Sequence, residues 1–393
     1  MTAATLMDRL RGSTELVVET AEIEAVRRSG AEHVNLSASG ITAGAQLPEH
    51  KNLVDQALAW AQLDVGKGGI RKLAANRAVE RLAIEFAREL VQVVPGHISV
   101  EIDGRLAYQR RQLIDRIRAL AAELNAVDIP NDRLRFKIPA TWEGIQAAAK
   151  LASKNDIRCH MTLVFGTHQL AACADAGVDI IAPAVGRITD WHKKKDGVDR
   201  YPLGEDPGVR ATLAMGAYLQ AHGYASRLMP SMFRSAEQAL ALASSAELLS
   251  VPPKLLSLVP EELADAPAET ASAAPVDGTP AKLEVDAAKY QSLHAADPVA
   301  TSKLQSGVKN LSWAVVSQQK QLANWIGNQQ DEAAELSTIA LFSIWDYDGD
   351  GFIDREEWGG TDEVFNAIDR DNNGRISLEE MAIGLGAPFK GDE

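Results

Sequence analysis

Along most of the chain, short runs of β-branched and aliphatic residues alternate with longer stretches of helical period. The runs that read as strands are Leu16 to Thr20, His33 to Leu36, Ile98 to Ile102, Arg135 to Ile138, Cys159 to Val164, Asp179 to Pro183, Arg227 to Ser231 and Leu248 to Val251. Eight such runs separated by helices predict an α/β fold, a (β/α)8 barrel with its chemistry at the C-terminal ends of the strands. Helical patterns from Leu53 to Ala61 and from Ala74 to Val91 make the second connection unusually long. Glu261 to Val285 is rich in Ala, Pro, Thr and Asp with no sustained period, and reads as an exposed loop. Helical period returns from Pro298 to Gln330, with Leu304, Val308, Leu311, Val315 and Leu322 near one face, predicting terminal helices that cover a mouth or flank.

Charge separates the end of the chain from the rest. Asp331 to Glu393 holds 17 acidic and 4 basic residues, against 37 and 36 in residues 1–330, so nearly all of the net −14 sits on the last segment. An acidic chain argues against nucleic acid as a partner. No apolar run approaches the ~20 residues of a membrane helix, so no membrane partner is expected. Asp8, Arg9 and Arg11 at the start argue against a secretory signal, and two cysteines (Cys159, Cys173) against a disulfide scaffold, which together point to the cytoplasm.

Spacing resolves the acidic block. Asp346, Asp348, Asp350, Gly351, Asp354 and Glu357 stand at positions 1, 3, 5, 6, 9 and 12 of one loop, and Asp369, Asp371, Asn373, Gly374, Ser377 and Glu380 repeat the pattern. Both match the EF-hand calcium loop: alternate oxygens converge on one ion, glycine makes the sharp turn, and a two-oxygen glutamate closes the far side. The carbonyls of Phe352 and Arg375 supply position 7, and Ile353 and Ile376 stand where paired loops touch. Only Trp358 to Ile368 separates the loops, too short for two full helices at ~1.5 Å per residue. One short helix after Thr361 is expected, in a small all-α module that calcium stabilises rather than opens. The expected division is residues 1–328 for the barrel and 329–393 for the EF-hand pair, with loops 346–357 and 369–380 and a hinge around Asn328 to Glu332.

Within the barrel, Lys137 lies on a strand among apolar neighbours. Burial disfavours an ammonium, so this lysine must shed its charge or find a carboxylate, and a neutral amine so placed forms Schiff bases. Glu19 lies on the first strand, and alternation places Glu101 and Asp103 on one side of the third, as candidate proton carriers. Thr162 offers a hydroxyl to orient water. Lys193, Lys194 and Lys195 fall in Trp191 to Pro207, read as a solvated loop or a flap.

RLRFKIPATWEGI (Arg133 to Ile145), a strand lysine followed by Thr-Trp-x-Gly, resembles the Schiff-base segment of transaldolases. The resemblance continues through ISVEIDGRLAY (Ile98 to Tyr108), Cys159 to Trp191, Glu205 to Val209 and the Phe233-Arg234 pair. It covers residues 1 to about 330 and is with the longer type of that family. It implies transfer of a dihydroxyacetone unit from sedoheptulose 7-phosphate or fructose 6-phosphate to an aldose phosphate in the pentose phosphate pathway, with no cofactor for catalysis. It gives Lys137 the Schiff base, Glu101 the proton shuttle, Thr162 the catalytic water, and Arg187 and Arg234 the substrate phosphate. A homodimer is compatible with it.

Several positions depart from the family pattern. Glu19 stands where the family has Asp, one methylene longer; Ser37 replaces the substrate-binding Asn; Ala182 and Met232 replace two serines; and Phe136 replaces an aliphatic residue. Three readings therefore stand: a transaldolase, a related Schiff-base aldolase, or a non-catalytic barrel acting as a calcium-dependent binding protein.

Overall fold

The computed structural model describes residues 5–65, 71–258 and 281–326, and parts of 342–384. Eight parallel strands lie at the centre: β1 (Glu15–Val18), β2 (His33–Leu36), β3 (Ile98–Glu101), β4 (Leu134–Pro139), β5 (Cys159–Val164), β6 (Ile180–Pro183), β7 (Arg227–Leu228) and β8 (Leu248–Val251). They run in sequence order with β8 beside β1, and the Ser250 N–H donates to the Pro230 carbonyl (3.0 Å) where β8 meets the end of β7. This is the expected (β/α)8 barrel. The seventh strand is the shortest, two residues plus a bridge from Ser231 to Ala184.

The helices are α1 (Leu6–Leu10), α2 (Ile23–Ser29), α3 (Ala38–Gly44), α4 (Lys51–Val65), α5 (Arg71–Leu90), α6 (Arg110–Asn125), α7 (Trp142–Asn155) and α8 (Thr167–Asp175). After them come α9 (Val185–Asp196), α10 (Pro207–Ala221), α11 (Ala236–Leu242), α12 (Pro253–Leu256), α13 (Ala287–Ala296) and α14 (Pro298–Ile326). Several begin on a side-chain cap that satisfies orphan N–H groups. The Ser37, Thr141 and Asp206 side chains accept from the first turns of α3, α7 and α10. The long second connection is the antiparallel pair α4 and α5. Most of the loop expected at Glu261 to Val285 lies outside the described residues, as does the hinge at Asn328 to Glu332.

One corrected expectation concerns the lysine run. Lys193, Lys194 and Lys195 form the last turn of α9, which ends only at Gly197, so they are helix rather than loop or flap. Cations at a helix C-terminus suit its dipole. None of the described helices is long and apolar enough to cross a membrane.

The N-terminal end of the barrel is filled by charge. Glu15 accepts from His33 (2.8 Å) and pairs with Arg227 (3.4 Å), Asp179 pairs with Arg135 and Arg227, and His97 stacks on His33. Val17, Ile180, Ala182, Met229 and Leu248 make an apolar cluster along the barrel strands. At the other end α14 crosses the barrel: its Ala300, Leu304 and Val308 pack with Leu163, Phe165, Ala184 and Ile188.

The C-terminal segment has its own core of Phe342, Ile353, Phe365, Ile368, Ile376 and Met381. Strands β9 (Phe352–Ile353) and β10 (Ile376–Ser377) pair antiparallel with Ile353 opposite Ile376, as the loop spacing predicts. The helix α15 (Asp362–Ile368) is the one short helix expected between the loops, and α16 (Leu378–Gly384) follows the second.

Candidate functional site

Lys137 is central to the barrel face of β4, 3% exposed, with Glu101 of β3 and His160 of β5 as its lateral partners in register. Its Nζ lies 3.1 Å from Oε2 of Glu101 and 3.9 Å from Oε1 of Glu19, beyond the end of β1. Glu101 is held from its other side, where Oε1 accepts the Ala38 N–H (3.1 Å). The site thus draws one group from each of three strands, which only closure of the sheet brings together.

Of the two outcomes open to a buried lysine, Lys137 takes the second and meets a carboxylate. Burial does push the Lys137 ammonium toward losing its proton, but the carboxylates of Glu101 and Glu19 together outweigh it, and the net direction is upward from the ordinary lysine value. The resting group is an ammonium in a buried ion pair.

The motif after the strand is a positioning device. Thr141 accepts from the Gly144 N–H (3.0 Å) and donates to the Ala107 carbonyl (2.5 Å), capping α7 directly behind β4. A side chain at Gly144 would sit 2.3 Å from the Pro139 carbonyl, so only glycine lets the helix start this close to the strand. Arg133 anchors the other end of β4 by donating to the carbonyls of Val91 (3.1 Å), Val94 (2.7 Å) and Gly96.

The remaining candidates are placed as follows. Thr162 is buried on the inward face of β5, two residues beyond His160. Leu163, next to it, has φ +58°, at a register shift between β5 and β6. A bulky residue in that region is strained, and strain of this kind gathers at functional sites. Ser37 caps α3, accepting from the Gly40 N–H (3.1 Å), and with Glu19 lines a cavity of about 440 Å³ between α3 and the segment after β1, whose lining does not include Lys137 or Glu101. Asn35 points deeper, donating to the Ser250 hydroxyl (3.3 Å), so Ser37 and not Asn35 faces the mouth. Asp103 does not join the site: it forms a bidentate pair with Arg105 at the start of a tight turn. Strand alternation ends at Glu101, which is why the parity argument fails for Asp103.

Arg187 and Arg234 meet at the C-terminal side of β6 and β7. Arg234 donates to Asp190 through Nε and Nη2 (2.9 and 2.8 Å), and Arg187 donates through Nη2 to the Lys303 carbonyl (3.2 Å) and the Ser306 hydroxyl (3.0 Å) of α14. Burial first, then repulsion from Arg234, weakens the hold of Arg187 on its proton, which marks two like charges kept close. Met232 has φ +58° and packs on the α14 cluster. Ser231 turns its hydroxyl to the Pro183 carbonyl (3.2 Å).

His160 was missed by sequence reasoning. It is 1% exposed and, among the described residues, neither ring nitrogen has a hydrogen-bond partner. Burial first, then the charge of Lys137, holds it far below the usual histidine range, so it is a neutral imidazole. Its parity with Thr162 on β5 was the available signal.

In the calcium loops, Gly351 and Gly374 take φ of +88° and +82°, the turn for which position 6 needs glycine. Asp346 accepts from the Gly351 N–H (3.2 Å), and Asp369 from the Gly374 N–H (3.0 Å). One carboxylate oxygen each of Asp369, Asp371 and Glu380 lies within 4.8 Å of the others. Glu380 accepts from the Ser377 N–H (2.9 Å) and hydroxyl (2.8 Å) and from Arg370 N–H (2.9 Å). Burial raises its pKa, but these hydrogen bonds outweigh burial and keep it ionised. Three converging anionic oxygens fit a hard divalent cation. In the first loop Phe352, Asp354 and Glu357 are described, whereas Asp348 and Asp350 lie outside the described residues.

A family model described as Transaldolase/Fructose-6-phosphate aldolase matches residues 17–322, and one described as EF hand matches residues 338–359 and 361–383. The chain is 37% identical to a transaldolase of Thermosynechococcus vestitus, over 97% of each chain, and 38% identical to one of Gloeobacter violaceus, over 98% of each. It is 39% identical to a transaldolase of Nostoc punctiforme over 81% of this chain and 95% of that protein. Relatives thus occur in two lengths, with and without a counterpart of the acidic C-terminal segment.

Proposed function

The chain belongs to the transaldolase/fructose-6-phosphate aldolase family, and from that premise we propose that it is a transaldolase in which Lys137 forms the Schiff base. The observation that carries this reading is the buried ammonium with carboxylates at 3.1 and 3.9 Å near the C-terminal end of the barrel. An arriving ketose carbonyl displaces the ammonium from its pair with Glu101, which takes the proton. The freed amine adds to C2, and the carbinolamine loses water with the proton returned through Glu101 and a water held by Thr162. The resulting iminium is the electron sink for cleavage of the C3–C4 bond. Glu19 accepts the C4 hydroxyl proton as the aldose phosphate leaves. The enamine then adds to the carbonyl of a second aldose phosphate, and the steps reverse.

Arg187 and Arg234 take the substrate phosphate, a task suited to guanidinium geometry, and Ser37 takes a donor hydroxyl. The substrates are then sugar phosphates such as fructose 6-phosphate and sedoheptulose 7-phosphate. Residues 1–328 make the enzyme and residues 329–393 a calcium module. Asp369, Asp371, Asn373, the Arg375 carbonyl, Ser377 and Glu380 hold one ion. Asp346, Asp348, Asp350, the Phe352 carbonyl, Asp354 and Glu357 hold the other. Calcium bound there would add to the stability of the paired loops, whose Ile353–Ile376 contact is already formed. The cytoplasm, where sugar phosphates occur, is the proposed location.

The test is consumption of fructose 6-phosphate with and without an aldose phosphate acceptor. Turnover that depends on the acceptor is expected. Steady release of free dihydroxyacetone without it would mark an aldolase instead.

A further inference from the structure

The two arginines do not stand alone. Lys303, on the first part of α14, lies beside them: its carbonyl accepts from Arg187 (3.2 Å), and its ammonium feels the charges of Arg187, Arg234 and Lys194. Burial first and Arg187 next weaken its hold on its proton; Asp190 acts in the other direction, and Arg234 and Lys194 contribute less. Asp190 is already engaged by two nitrogens of Arg234. Four cations around one committed carboxylate are a repulsive arrangement in the absence of another anion.

The helix is shaped to this cluster. Lys303 and Ser306, three residues apart, share one face, and Ser306 accepts from Arg187 (3.0 Å). At Gly307, on the same face, a side chain would sit 2.7 Å from Nη1 of Arg187 and from the methyls of Leu163. The strands supply little hydroxyl chemistry here. Ala182 lies in the apolar interior cluster and Met232 is apolar, while Ser231 and Ser306 each donate to a backbone carbonyl, Pro183 (3.2 Å) and Lys303 (3.3 Å); of the two only Ser306 also touches Arg187.

We propose that α14 completes the phosphate site, Lys303 supplying a third cation and Ser306 a hydroxyl to the substrate phosphate at Arg187 and Arg234. A helix outside the (β/α)8 repeat thereby becomes a specificity element: it distinguishes a phosphorylated ketose from its free sugar. The inference rests on the reading of Arg187 and Arg234 as the phosphate site.

The experiment compares kcat and KM for fructose 6-phosphate and for free fructose, each with the same aldose phosphate acceptor at saturation, in wild type, Lys303→Met, Lys303→Arg and Ser306→Ala. For Lys303→Met, KM for fructose 6-phosphate is expected to rise roughly ten- to hundredfold, the worth of one charge-assisted hydrogen bond, with kcat little changed. Kinetics with fructose stay as in wild type, Lys303→Arg recovers most of the loss, and Ser306→Ala shows a smaller rise. Equal losses for both sugars would assign Lys303 a structural role, and unchanged KM would remove it from the site. Either overturns the proposal. Arg187→Met and Arg234→Met separate the underlying reading: if neither changes the preference for phosphorylated donor, the phosphate site itself is misplaced.

Discussion

Replacing Glu101 by Gln keeps the shape of the side chain and its acceptor for the Ala38 N–H, and removes one charge 3.1 Å from the Lys137 amine. At an effective dielectric constant near 20, that charge favours the ammonium by about 5 kcal/mol. Glu19 at 3.9 Å supplies about 4 kcal/mol on the same basis, so roughly half of the attraction is lost while the burial penalty stays. The amine of Glu101→Gln therefore releases its proton more readily than in wild type. Two consequences oppose each other. A larger neutral fraction speeds attack on the carbonyl, but loss of the proton carrier slows carbinolamine dehydration, and a positioned acid–base group is worth about 10²–10⁴-fold. The second effect wins, because the amine must be free only once per turnover whereas protons move at several steps. The expected outcome is a fall in kcat of about two to three decades, with borohydride still trapping substrate on Lys137 and doing so at lower pH than in wild type. Stopped-flow rates and trapped adduct across pH 6 to 10, with circular dichroism as the folding control, check this. A kcat within about threefold of wild type, or an adduct lost from a folded protein, would refute the assignment of Glu101 as proton carrier.

Acid stability follows from the buried histidines. His33 and His168 are held below the usual range chiefly by burial, His168 at about 4. The unfolded chain takes up protons there before the folded one does. Their contribution is therefore complete above pH ~6.5 and shrinks as pH falls below it, by at most ~1.4 kcal/mol per pH unit for each histidine. Urea midpoints at pH 7.5, 6 and 5 should fall in that order, less steeply in His168→Leu, and equal midpoints would contradict this. Calcium removal should lower the melting temperature of the full chain, since an ion at 100 times its Kd stabilises by about 2.7 kcal/mol, and should leave kcat little changed. Glu380→Gln should remove part of that response, and a large loss of kcat at unchanged melting temperature would contradict the stabilising role.

The fold was largely legible because parallel strands buried on both faces are written as short continuous apolar runs. The bounds of β2, β5 and β8 agree with the runs read from the sequence. The seventh run promised five residues and formed a two-residue strand, beyond which pairing continues through single hydrogen bonds at Met229, Pro230 and Ser231. The calcium loops were legible because every ligand lies within one short segment of fixed spacing. Which of its two states Lys137 takes was not, since burial and two carboxylates from separate strands act on it in opposite directions and only their distances decide. Asp103 turned away because a local pair with Arg105 ended the strand. His160 went unnoticed because a histidine in an apolar strand carries no motif. The seat of Arg187 on α14 joins residues more than a hundred positions apart, which no local pattern records.

The central claim is that the Lys137 amine, charged at rest, becomes the nucleophile toward a phosphorylated ketose. Borohydride reduction in the presence of fructose 6-phosphate, followed by peptide mass spectrometry, measures this directly. A three-carbon adduct on Lys137, absent in Lys137→Met, is the predicted result; no adduct at millimolar substrate, or an adduct on another lysine, would contradict it.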